Sequence, residues 1–145
     1  MDIKIISNLV DYGVVGVLGV MAFLTLFFYI ERLLFLKSVD ISKYNQKEAL
    51  EIDLTKNITI ISTFAANAPY IGLLGTVLGI IITFYTMGIS GEIDLKNIMS
   101  SLALALKATA MGLFVAIPAI LFYNHLVRKI EVLLSTWDME KKGAN

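Results

Sequence analysis

Charged residues cut the chain into three long apolar runs. The first, Tyr12 to Ile30, holds nineteen residues without a charge and stops at Glu31 and Arg32. At about 1.5 Å per residue a helix over it covers roughly 28 Å, close to a hydrocarbon core of about 30 Å. A second run, Asn57 to Gly91, is longer than a bilayer requires, and a third, Asn97 to Val127, is broken only by Lys107. The pattern predicts an all-α membrane protein: one polytopic domain over 1–145 with transmembrane helices at about 12–30, 68–90 and 97–127. The second and third helices should project past the lipid into the cytosol. The first run is too long for a cleaved signal peptide, and no Ala-x-Ala-like site precedes Glu31.

Basic residues orient these spans. Arg32, Lys37, Lys43, Lys47 and Lys56 follow the first, and Arg128, Lys129, Lys141 and Lys142 follow the third; the other side offers only Lys4 and Lys96. Positive-inside reasoning puts 31–67 and 128–145 in the cytosol and the N-terminus outside. Glu31, Arg32, Arg128 and Lys129 then mark the cytosolic interface. Acids interleave with the lysines of 37–56, so this stretch reads as a solvated helical hairpin or extension and not a lipid-binding basic patch.

The three spans differ in texture. The first is bulky around its circumference, as suits a lipid-facing helix, with one smooth strip at Gly13, Gly16 and Gly19. The second carries Ser62, Ala65, Pro69, Gly72, Thr76, Gly79, Thr83, Thr86 and Ser90 at alternating steps of three and four. The third repeats this with Ala105, Thr109, Gly112, Ala116 and Ala119. Such spacing keeps a low-bulk stripe on one face of a helix crossing its neighbours at a shallow angle. For Gly72, Gly75, Gly79, Gly112 and Ala116, close helix packing is the plainer account. For Thr76, Thr83 and Thr109 two readings stay open: hydroxyls satisfied on the preceding turn, or a polar-lined interior.

Composition agrees with a membrane protein, at 57% hydrophobic, 17% charged and a mean hydropathy of +0.78. With no cysteine and one histidine, thiol-fed zinc sites and disulfide scaffolds are excluded, and no cofactor or metal is expected. Twelve basic against twelve acidic residues gives no field for nucleic acid. No phosphate-binding loop, nucleophile elbow or acid–base dyad points to an enzyme. His125, beside Arg128 and Lys129, reads as an interfacial imidazole. Lys107 is the costly residue, since a lysine at mid-bilayer costs about 2.5–3.5 kcal/mol. It either snorkels to the outer interface or faces a protein interior, and the spans themselves offer no acid to pair with it.

The string Ala68-Pro69-Tyr70-Ile71-Gly72-Leu73-Leu74-Gly75-Thr76-Val77-Leu78-Gly79-Ile80 resembles the second-span signature of the MotA/TolQ/ExbB proton-channel family. Ala105-Leu106-Lys107-Ala108-Thr109-Ala110-Met111-Gly112-Leu113, with Val115-Ala116-Ile117-Pro118-Ala119, resembles its third span, and Glu31-Arg32 and Tyr123-Asn124 fall in matching places. The Ala-Pro-Tyr opening sides with the ExbB branch; TolQ is less similar and MotA more distant. The resemblance implies a homo-oligomeric ring, usually a pentamer, around a central pore in the bacterial inner membrane. It further implies an ExbD-type partner with one intramembrane aspartate and a TonB-type transducer that energises outer-membrane import. It places Thr76 and Thr109 on the family's pore-lining threonines. Many relatives have a glutamate five residues before the third-span threonine, where this chain has Leu104. Lys107, on a neighbouring part of that face, is then expected to act as countercharge to the partner's aspartate. A TolQ-type role in envelope maintenance, a non-conducting scaffold and a self-sufficient channel are the competing functions.

Overall fold

The computed structural model describes residues 2–144. Its four α-helices are α1 (Ile3–Ser38), α2 (Lys47–Leu54), α3 (Ile58–Ser90) and α4 (Leu95–Gly143), with a 3₁₀ turn at Ile41–Lys43 between α1 and α2. Helices α1, α3 and α4 are each long and apolar enough to cross a membrane. At 49 residues α4 reaches about 74 Å, more than twice the hydrocarbon thickness, so it must leave the lipid.

Local chemistry sets the helix ends. Asp2 and Asp94 cap α1 and α4, their carboxylates accepting from the Lys4 and Lys96 amides. Gly91 closes α3 at φ 66°, and Asn57 turns the chain between α2 and α3 at φ 67°; both need the left-handed region that these residue types tolerate. Pro69 and Pro118 lie inside α3 and α4, where neighbouring helices make the interruption tolerable.

Two apolar clusters hold the helices together. Leu18 and Met21 of α1 pack on Ala68 and Ala116, with Val14, Phe64, Ile71, Met111 and Val115 around them. At the other end Leu36, Leu50, Leu54, Ile58, Ile61, Leu126 and Ile130 form the second cluster, through which α2 is folded back onto the bundle. The solvated segment expected after the first span is α1 running on to Ser38, followed by the small helix α2. Helix α1 runs parallel to α4: Tyr29 meets His125, 96 positions later, and stacks on Phe122. Farther along, Gly75 is closed by Val14 and Ala108 together, which puts Lys107 near Gly13, just inside the uncharged run of α1, with the uncharged stretch 108–127 beside that run. Against α3, the run 12–30 pairs with the stretch between Ile61 and Gly75, which lets the far ends of α3 and α4 extend beyond it.

Candidate functional site

The low-bulk stripes of α3 and α4 lie against each other. A methyl group on Gly72 would sit 2.6 Å from the Ala108 carbonyl oxygen, and one on Gly112 would sit 2.6 Å from that of Ala68. At this crossing the backbones touch, and only glycine fits. Gly75 is closed by the Ala108 methyl and Val14, Gly79 by the Ala105 methyl, while Ala116 is wholly buried.

Thr76 and Thr109 meet inside this seam. The Thr76 hydroxyl donates to the Ala105 carbonyl at 2.8 Å, with the Gly72 carbonyl 3.3 Å away. That leaves Thr109 to donate to the Thr76 oxygen, forming a two-hydroxyl chain that ends on a backbone carbonyl. Thr76 is buried and Thr109 half-buried. Every polar atom of the pair thus has a partner without any ionised group, as a low-dielectric interior requires.

A cleft of about 590 Å³ opens toward the pair from the side of the α1 N-terminus. Thr83, Thr86, Ser90 and Asn97 line it together with Asp2, Asp11, Glu92 and Asp94, and its floor is Gly79 and Ala105. Thr83 and Thr86 satisfy their own hydroxyls on the Gly79 and Ile82 carbonyls. The cleft therefore reaches the residue whose carbonyl accepts from Thr76.

Lys107 is not brought to this group. Two residues from Thr109 and about 200° round the helix, it stands exposed in a groove between α1 and α4. Leu104 lines the cleft. Among the described residues no three His, Cys, Asp or Glu side chains gather as metal ligands.

The cytosolic-interface residues have distinct surroundings. Arg32 is buried and holds Glu31 bidentately at 2.6 Å, while its Nη1 donates to the Asp53 and Leu54 carbonyls at 2.7 and 3.4 Å. It thereby caps α2 and ties it to α1. Hydrogen bonding from Arg32 lowers the Glu31 pKa below its ordinary value, against a smaller opposing effect of burial. Arg128 only approaches Glu131, at 4.0 Å on the surface, and Lys129 is half-exposed. Sequence reasoning missed the Arg32 cap and the bond from the Trp137 indole to the Tyr44 carbonyl, because the acceptors are backbone atoms that no residue type announces. It also missed the Ala105 carbonyl, although its place four residues before Thr109 on one helix face was a usable signal.

The family model described as the MotA/TolQ/ExbB proton channel family matches residues 30–139. The chain is 55% identical to the biopolymer transport protein ExbB of Helicobacter pylori over 132 residues, covering 91% of each. It is 52% identical to ExbB of Aquifex aeolicus over 133 residues, 92% of this chain and 90% of that one. The Tol-Pal system protein TolQ of Haemophilus influenzae is 34% identical over 98 residues, 68% of this chain but 41% of TolQ. A paired-helix seam with a threonine pair at its centre, in a chain of three apolar helices matched along most of its length, belongs to the MotA/TolQ/ExbB proton channel family.

Proposed function

We propose that this chain is the ring-forming proton-channel subunit of an ExbB–ExbD–TonB-type complex. It sits in the bacterial inner membrane with its N-terminus periplasmic and C-terminus cytosolic, as a homopentamer whose α3 and α4 enclose the pore. The proton motive force is spent on outer-membrane import of receptor-bound substrates. The relatives named biopolymer transport proteins, alike over nine-tenths of their length, support the transport reading.

The observation that carries it is the hydroxyl pair beneath a cleft edged by Thr83, Thr86 and Ser90. Thr83, Thr76 and Thr109 form the path, and each can both donate and accept without adding a fixed charge. A partner's carboxyl reaching Thr109 can be hydrogen-bonded there either as the acid, donating, or as the carboxylate, accepting, while the proton itself enters and leaves on that carboxyl. One charge crossing 100 mV releases about 2.3 kcal/mol, enough to bias two packings of a helix bundle. Lys107, on the other side of α4, stands outside this path.

The test is the double variant Thr76→Ala/Thr109→Val in cells that depend on energised uptake. Uptake should fall to background while the complex is recovered at wild-type stoichiometry; retained uptake would make the chain a scaffold. The likeness to TolQ favours a second reading, envelope maintenance. Deleting the chain separates the two: lost import supports the first, and detergent sensitivity with normal import supports the second.

A further inference from the structure

The groove holding Lys107 has a volume of about 410 Å³ and lies on the outer surface between α1 and α4. Its other lining is apolar: Val15 and Leu18 on one side, Met111 and Phe114 on the other, with Gly19 and Ala22 forming the depression. Nothing in the protomer lies within 4 Å of a methyl group placed on Gly19. Among the described residues Lys107 has no acid within 4.0 Å. A lone ammonium at the end of an apolar trough fits an amphiphile with an anionic head.

Depth identifies which one. Lys107 stands level with Gly13 and Val14, just inside the outer border of the uncharged stretches 12–30 and 108–127, so its stem brings the ammonium to headgroup height. From there the groove runs to Val115, eight residues or about 12 Å toward the bilayer centre. The geometry points to a site for an anionic phospholipid of the leaflet on the α1 N-terminal side, its phosphate on Lys107 and an acyl chain along Gly19 and Ala22. The chain's own spans carry no acid that a second copy could bring deeper into the groove. Asp11 of a second copy, within a helical turn of that height, is the competing counter-ion.

The experiment uses the full chain, reconstituted in phosphatidylcholine vesicles with and without phosphatidylglycerol, extracted gently and weighed by native mass spectrometry. Wild type and Lys107→Arg should retain phosphatidylglycerol. Lys107→Gln should bind it about tenfold more weakly, the effect of one charge-assisted contact. Gly19→Leu, whose Cβ meets no protein atom within 4 Å, fills the trough and should also lose the lipid while keeping its lysine. Equal retention by Lys107→Gln and Gly19→Leu would overturn the site. So would a disulfide between copies in the Asp11→Cys/Lys107→Cys variant, informative because the chain has no other cysteine. Proton flux is not read in this assay, so its outcome stands apart from the proposed channel function.

Discussion

Two of the contacts that helix α4 makes are built on opposite plans. Toward α3 it offers Gly112 and Thr109, so backbones meet at van der Waals distance and hydroxyls are satisfied across the seam. Toward α1 it offers Met111, Phe114 and Val115, and the fit leaves a groove. The glycines of α1, at 13, 16 and 19, touch nothing in the protomer, and the buried Thr25 hydroxyl finds no partner among the described residues. The difference teaches that small residues have no fixed meaning: on α3 and α4 they permit contact, on α1 they leave space. It also marks α3 and α4 as the closely packed pair, with α1 laid against it through larger side chains.

Substitutions can break or sharpen this contrast. The largest effect belongs to Gly112→Val, whose added atoms meet the Ala68 carbonyl; it should cost about 3 kcal/mol and cut the yield of folded protein. Arg32→Met comes next, at about 2 kcal/mol by chemical unfolding in mild detergent, since it uncaps α2 where α1 is tethered. It should also remove a pH dependence. Because the folded Glu31 pKa lies below its ordinary 4.5, its contribution is present above that value and is lost as pH falls through the folded one. Thr25→Val should raise stability by about 1 kcal/mol by removing an unpaired hydroxyl from the α1 contact. Smallest is Gly16→Ala, neutral or stabilising by up to about 1 kcal/mol from helix propensity; a loss would reveal a partner over that strip.

Charge-free stretches of bilayer length made the three membrane helices legible in the sequence. The small-residue stripes foretold that α3 and α4 pack closely, because the period of a stripe is also that of the helix face that carries it. Which partner a face meets was not legible. Lys107 and Thr109 are two positions apart, and only the placement of α1 shows that one lines a groove while the other lies in the seam. The Arg32 lock was hidden for another reason: its acceptors are carbonyls of Asp53 and Leu54, brought near by the fold of α2.

The most direct test of the hydroxyl path is proton flux through the complex reconstituted in vesicles with its single-span partner, comparing wild type with Thr109→Val. The valine removes the outer hydroxyl of the pair and sets a methyl against the Thr76 oxygen, a local adjustment within the seam. Flux should fall at least about tenfold while subunit composition stays the same. Wild-type flux in the valine variant would contradict the account.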